Sequence, residues 1–301
     1  RQAVRTQLIA GIANTYYTLL MLDEQLDISR QTETAWKETV ASTRALMNAG
    51  LANESAVSQM EAAYYQVQSS VLDLQQQISQ VENSLALLLA ETPRNYERGM
   101  LAKQQFPTDL SIGIPVRMLS SRPDVRSAER TLEAAFYGTN AARSAFYPSI
   151  TLSGSAGWTN SAGSLILNPG KFLASAVGSL TQPLFNKGQV VAQYRIARAQ
   201  QEEAALGFQQ TLLNAGSEVN DALIAYQTSQ GKRLLLDKQI ASLQTALQST
   251  SLLMEHGNTT YLEVLTARQS LLSAQLSQTA NHFTEIQSLI NLFQALGGGQ
   301  D

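Results

Sequence analysis

Proline placement constrains this chain more than any other feature. All seven prolines (Pro93, Pro107, Pro115, Pro123, Pro148, Pro169 and Pro183) fall between positions 93 and 183, leaving Pro-free flanks of 92 and 118 residues. Proline removes a backbone donor and clashes with the preceding turn, so helix interiors exclude it. The flanks can be helical over great lengths and the centre cannot. From Val57 the apolar positions run Met60, Tyr64, Val67, Val71, Leu74, Ile78, Val81, Leu85 and Leu88, in steps that alternate three and four without a miss. That is an a/d heptad seam, and it predicts left-handed supercoiling. A second seam runs Leu265, Leu272, Leu276, Phe283, Ile286, Ile290 and Phe293, with Gln269 and Thr279 as polar interruptions. The stretch before it repeats the pattern at Leu236, Ile240, Leu243, Leu247 and Met254. At about 1.5 Å per residue, a helix from 187 to 256 exceeds roughly 100 Å. No compact globule of this mass needs such a rod.

The flanks also repeat each other. A shift of 207 positions lays Gly50 on Gly257, Leu46-Met47 on Leu253-Met254 and Val57 on Val264. Each copy reads as long helix, short Gly-containing turn, long helix, and a tight turn forces the two helices antiparallel. Gly50 and Gly257 suit the left-handed position just past a helix end. Chance similarity between heptad segments is the bland alternative; the matched glycines and matched Pro-free boundaries argue against it. Between the flanks, residues 93–122 form a Pro- and Gly-dotted connector, and Pro123-Asp124 opens a helix that runs to about 147. After Pro148 the period switches to two. Ile150, Leu152, Gly154, Ala156 and Trp158 alternate with Thr151, Ser153, Ser155, Gly157 and Thr159. A loop containing Asn168-Pro169-Gly170 follows, and a second strand-like run spans about Phe172 to Phe185. Two strands of about ten residues, apolar on one face and small-polar on the other, suit a tilted membrane β-hairpin. An ordinary hairpin packed on helices is the competing reading, but rods of this length offer no face broad enough to cover it.

Composition removes most chemistries. Lys and Arg number 21 against 24 Asp and Glu, and charged residues make up only 15% of the chain, below the roughly 25% usual for soluble domains. The gap is filled by uncharged polar side chains, including 31 Gln. Nucleic-acid binding needs a concentrated basic face, which is absent. With no Cys there are no disulfides, thiolate metal sites or cysteine nucleophiles. His256 and His282 lack companion ligands, so no metal site is expected, nor any cofactor. No apolar run reaches the ~18 residues of a membrane-spanning helix, and no nucleophile elbow or phosphate loop occurs. The chain opens on Arg1 in mid-helix sequence without a signal peptide, and is expected to be the middle and end of something longer.

Ser121-Arg122-Pro123-Asp124-Val125, followed by Ala128-Glu129 and Leu132, resembles the RRPDVxxAExxL signature of TolC-like outer-membrane efflux channels, in the lipoprotein branch serving multidrug and metal efflux. Ile112-Gly113-Ile114-Pro115 looks like that branch's GLP element. Pro148, Gln182-Pro183-Leu184-Phe185 and the terminal Gln294-Ala295-Leu296-Gly297-Gly298-Gly299 also fall where the family has them. The family carries two β-hairpins per protomer and an acylated N-terminal Cys; this chain has one hairpin and no Cys, which places Arg1 just after the first hairpin, with roughly a third of the parent absent. The resemblance implies a homotrimer in which each protomer gives four strands to a twelve-strand barrel in outer-membrane lipid and its helices to a periplasmic α-barrel. It also implies a periplasmic adaptor docking near the helix-tip turns Gly50 and Gly257, an inner-membrane pump that supplies the energy, and location in the outer membrane of a Gram-negative bacterium with a periplasmic extension. The family's periplasmic constriction lies at the start of the last long helix, where the matching positions are Leu262, Glu263 and Thr266. Thr266 departs from the Asp common there.

The expected fold is mainly α: long antiparallel coiled-coil helices with one membrane β-hairpin. Its parts are a first helical hairpin (1–92), a connector (93–122), a helix (123–148), the β-hairpin (149–185), and a second helical hairpin with the C-terminal segment (186–301). Ile150, Leu152, Ala156 and Trp158 form the expected lipid face, with Trp158 and Tyr147 as interfacial aromatics. Arg122 and Asp124 are expected to brace a neighbouring helix end. The expected function is a passive exit duct of a tripartite efflux system, with no covalent chemistry and no catalytic residues. The rival is a periplasmic coiled-coil adaptor or spacer without a pore, which has no reason to carry an alternating apolar and small-polar hairpin.

Overall fold

The computed structural model describes residues 2–104, 120–159, 171–182, 185–255 and 260–298. Five long helices and one hairpin follow in order: α1 (Gln2–Asn48), α2 (Glu54–Leu89), α3 (Pro123–Ser144), β1 (Ser149–Thr159), β2 (Lys171–Thr181), α4 (Gln189–Glu255) and α5 (Tyr261–Ala295). A short 3₁₀ turn, Leu101–Lys103, lies in the connector. The three longest Pro-free helices reach 67, 47 and 36 residues. Two compact units result, one formed by 1–123 with 214–301 and the other by 124–213.

In the first unit α1 and α2 are antiparallel. Leu19 and Leu22 pack on Ile78 and Leu85, while Trp36, further along, packs on Met60, Ala63 and Val67. The Val57–Leu88 seam faces inward at all but its last position. Val57, Met60, Val67, Val71, Ile78 and Leu85 are buried, Tyr64, Leu74 and Val81 half-buried, and only Leu88 is exposed. Burying such side chains is worth about 1.5–3 kcal/mol each. The turn between the helices is set locally. Leu51 N–H donates to the Leu46 carbonyl and Gly50 N–H to that of Met47, with Gly50 at φ +76°, a Schellman end that favours glycine. Asn53 then caps α2 by accepting from Ala56 N at 2.8 Å.

α5 runs antiparallel to α1. Thr6 Oγ1 donates to the Gly298 carbonyl at 2.7 Å, Leu20 meets Ile286, and Trp36 meets Tyr261, Leu265 and Leu272. The start of α5 therefore lies toward the same end of this unit as the Gly50 turn. The expected apolar seam of α5 is only part of what this helix buries. Ile286 is fully buried, Leu265, Leu272, Leu276, Phe283 and Ile290 are half-buried and Phe293 is exposed, while Ala274, Asn281, Ser288 and Ala295, spaced by sevens, are buried as well. This helix packs on two sides: against α1, and against α4 through Val219, Ala222 and Leu223. Small side chains admit both neighbours. Asn281 stays satisfied by donating to the Ser229 carbonyl at 2.8 Å. In the helix before it, the expected seam holds: Ile240 is buried and Leu236, Leu243, Leu247 and Met254 are half-buried.

The connector is strapped onto α1 and α2. Arg98 places Nε 2.6 Å from Asp23 Oδ2 and Nη1 2.8 Å from Glu82 Oε1. Leu101 is buried against Leu20 and Ile286. Burial raises the Asp23 carboxyl above its ordinary range, and Arg98 opposes that shift.

The second unit contains α3, the hairpin and the first part of α4. Pro123 occupies the first position of α3, where its missing N–H has no helical partner to lose. Thr139 Oγ1 donates to the Ala197 carbonyl at 3.1 Å, and Phe146 stacks edge-on against Tyr194. β2 ends at Thr181 rather than Phe185. Gln182 instead turns back to donate to the Phe146 carbonyl at 3.2 Å, and Phe185 is 97% exposed.

Candidate functional site

Two surfaces gather the residues singled out from sequence. The first is the hairpin. β1 and β2 pair antiparallel with Ile150 opposite Leu180, Leu152 opposite Gly178, Gly154 opposite Ala176, Ala156 opposite Ala174 and Trp158 opposite Phe172. Directly opposed residues share a face, so this register collects Ile150, Leu152, Ala156 and Trp158 with Phe172, Ala174, Ala176 and Leu180 on one side. The other side carries Ser149, Thr151, Ser153 and Ser155 with Ser175, Ser179 and Thr181, broken by the positions of Val177 and Leu173. There the Ser155 and Ser175 hydroxyls lie 2.8 Å apart. The apolar face has no cover: Ile150 is 74%, Leu152 84% and Leu180 70% exposed. Among the described residues the sheet has two strands only, so each leaves one edge of backbone donors and acceptors unpaired.

The second surface is the start of α5. Leu262, Glu263 and Thr266 are all exposed, whereas Val264 is buried and Leu265 half-buried. Positions 262, 263 and 266 share one side of the helix by its 3.6-residue repeat, and the packed residues take the other. Thr266 Oγ1 is engaged within the helix, donating to the Leu262 carbonyl at 2.8 Å. Glu263 sits in the first turn, where a carboxylate suits the helix dipole. Gly50 shapes its turn as described; Gly257 and His256 lie outside the described residues, as does Ile112-Gly113-Ile114-Pro115.

The motif arginine braces a helix end, as its sequence setting predicts. Arg122 is buried; its Nη1 donates to the Ala295 carbonyl at the last residue of α5 at 2.8 Å and to Glu218 Oε2 of α4 at 2.7 Å. Asp124 accepts from Val125 N at its own helix start. Sequence reasoning did not find Arg98, Trp36 or Arg268. The Arg268 guanidinium lies 5.5 Å over the Trp36 ring, a contact between residues far apart in the chain. No group of three or more His, Cys, Asp or Glu able to hold a metal occurs among the described residues, and no described helix is long and apolar enough to cross a membrane.

A family model described as "Outer membrane efflux protein" matches residues 1–91 and 114–298. The chain belongs to the outer membrane efflux protein family. It is similar to the cation efflux system protein CusC of Escherichia coli, 29% identical over 300 residues, covering 99% of this chain and 65% of that protein. The solvent efflux pump outer membrane protein SrpC of Pseudomonas putida is 31% identical over 309 residues, covering 99% of this chain and 64% of that protein. A solved CusC structure superposes with a TM-score of 0.91 at 29% identity, covering 99% of this chain and 70% of that one. The chain thus spans just under two thirds of the length of the curated relatives it matches. The CusC structure is described as forming a transmembrane channel, and the mainly α fold with long helices seen here superposes on it.

Proposed function

We propose that this chain forms part of a passive exit duct that carries small molecules across the periplasm and outer membrane in a tripartite efflux system. The hairpin register carries this reading. It gathers Ile150, Leu152 and Ala156 on one exposed face and places mostly hydroxyl-bearing residues on the other, the division a strand needs between lipid and a watery lumen. Eleven-residue strands reach about 36 Å at ~3.3 Å per residue, enough to cross a bilayer at the usual tilt. Unpaired edges are intolerable in lipid, so the barrel closes with strands from other copies, and the family's homotrimer supplies them. An adaptor docks near the Gly50 and Gly257 turns and links the duct to an inner-membrane pump. Relatives named for cation and for solvent efflux match this chain about equally, which suits a conduit lined by small uncharged groups rather than a cargo-reading pocket.

Leu262, Glu263 and Thr266 form the periplasmic aperture in this reading, because they share the one exposed side of the first turns of α5. Copies of Glu263 around the axis create an acidic ring that concentrates cations, and Leu262 adds an apolar collar. Cysteine labelling tests the duct directly. In outer membranes holding the protein, Leu152→Cys should resist a water-soluble maleimide while Ser153→Cys reacts; equal reactivity of the two refutes a lipid-facing hairpin.

A further inference from the structure

Charge in the second unit is sorted by distance from the hairpin. Acidic residues outnumber basic ones in the whole chain, 24 to 21, yet positions 134–201 hold five Lys or Arg and no Asp or Glu. Lys171 lies at the far end of the hairpin, opposite Thr159. The other four gather at its base. Arg143 is in the last turn of α3, Lys187 just precedes α4, and Arg195 and Arg198 lie in the first three turns of α4. The two helices run side by side here, through the Thr139–Ala197 hydrogen bond and the Phe146–Tyr194 stack, so Arg143 and Arg195 sit at about one level. All four cations are exposed. Acids resume only at Glu133 on α3 and Glu202 on α4, roughly 16 and 20 Å from the hairpin ends of those helices at ~1.5 Å per residue.

Exposed aromatic side chains share this level. Phe146 is 43% and Tyr147 64% exposed, and Phe185 is almost wholly so. They follow directly on the strands, where the apolar face of the hairpin ends. Aromatic side chains in that place suit the zone between hydrocarbon and water. The zone adds about 5–8 Å to each side of a ~30 Å hydrocarbon core, and Lys and Arg reach into it by extending their apolar stems. Aromatics backed by cations, with every carboxylate withdrawn, complement a negatively charged surface. Each basic group held near an anionic bilayer surface strengthens the attraction roughly fivefold. Zwitterionic headgroups give no comparable reason to keep carboxylates away.

We propose that Arg143, Lys187, Arg195 and Arg198 form a collar that binds the anionic headgroups of phospholipids in the periplasmic leaflet of the outer membrane. The collar rests on the membrane reading of the hairpin given above, and adds which lipid its base recruits.

Spin-labelled lipids separate the two. The protein is reconstituted in phosphatidylcholine bilayers carrying a trace of phosphatidylglycerol or phosphatidylcholine with a nitroxide low on the acyl chain. Electron paramagnetic resonance then measures the motionally restricted lipid. At low salt phosphatidylglycerol should associate at least about threefold more strongly than phosphatidylcholine, and the preference should shrink as salt screens the exposed charges. Arg143→Gln, Lys187→Gln, Arg195→Gln and Arg198→Gln combined should bring the preference close to one while the restricted phosphatidylcholine is unchanged. Lys187→Gln alone, outside both helices, should lower the preference in part, and it covers the case in which the combined variant folds poorly. No restricted lipid of either kind means that the hairpin is not in the bilayer and overturns both readings. Restricted lipid without headgroup preference, the result expected of cations turned toward a lumen, leaves the membrane reading standing and overturns the collar. A preference that survives the combined substitution overturns it as well.

Discussion

Replacing Arg122 by Met should loosen the end of α5 while leaving the helices formed. Three contributions are lost. The hydrogen bond from a guanidinium to the Ala295 carbonyl, 2.8 Å long and buried, is of the charge-assisted kind, worth about 1.5–3 kcal/mol. A cation at a helix C-terminus adds about 0.3–1 kcal/mol through the dipole. The ion pair with Glu218 adds less than about 1 kcal/mol, because the Glu218 side chain is 56% exposed and water screens the pair. Met retains much of the buried stem, and Glu218 can hydrate freely, so no stranded buried charge enlarges the loss. The total is about 2–5 kcal/mol. Urea unfolding followed by circular dichroism should show a lower midpoint at an unchanged slope, and hydrogen exchange should quicken first at Leu292–Ala295. Glu218→Gln should cost far less. If it costs as much as Arg122→Met, or if Arg122→Met costs under about 0.5 kcal/mol, the carbonyl contact is not what the motif arginine supplies.

Three further outcomes are expected. Glu263→Gln should reduce cation preference in single-channel recordings without disturbing assembly; an unchanged preference puts Glu263 on an outer surface. Gly298→Ala should cost about 1 kcal/mol in urea unfolding, because a Cβ there would collide with the Phe293 ring, and Phe293→Ala in the same chain should recover the loss. His282 titrates below its ordinary pKa, first because burial disfavours the imidazolium and also because Arg233 repels it, while Glu285 pulls the other way. The unfolded chain therefore binds this proton more readily than the folded one, so stability falls as pH drops below about 6.5 toward the folded value; His282→Gln should flatten that part of the curve, and an unaltered pH profile would count against a buried neutral imidazole.

Much of this was legible because some patterns are local. The Val57–Leu88 seam is written within one helix facing one partner, and nine of its ten positions are at least half-buried. The alternation within β1 shows which of its residues share a face, although its pairing with β2 was not legible. α5 was harder. A helix gripped on two sides buries small residues where backbones approach, so Asn281, Ser288 and Thr279, which read as polar, are among its most buried positions. Thr279 keeps its hydroxyl satisfied on the Gln275 carbonyl, as Ser288 does on that of Thr284. Pairings such as Arg98 with Asp23 and Glu82, or Arg268 with Trp36, join residues distant in the chain. No spacing rule encodes them. The exposed side at Leu262, Glu263 and Thr266 was suggested by resemblance, and its exposure depends on which sides of α5 its neighbours occupy.

The hairpin also bears on how such a chain reaches the membrane. Each eleven-residue strand leaves about ten backbone donors and acceptors pointing away from its one partner, since ladder groups alternate sides. Each such group left unsatisfied in hydrocarbon costs several kcal/mol. The apolar face returns only about 25 cal/mol per Å² on leaving water, so full burial of Leu152 or Ile150 recovers about 2–3 kcal/mol apiece. The unpaired edges outweigh the face, and a lone hairpin is stable neither in water, where Leu152 is 84% exposed, nor in lipid. Pairing with further strands removes the edge cost and leaves the lipid gain intact. Strand closure and insertion are therefore coupled, with the helical unit free to fold in water beforehand because its own core, centred on Leu19, Trp36, Met60 and Ile286, is already buried.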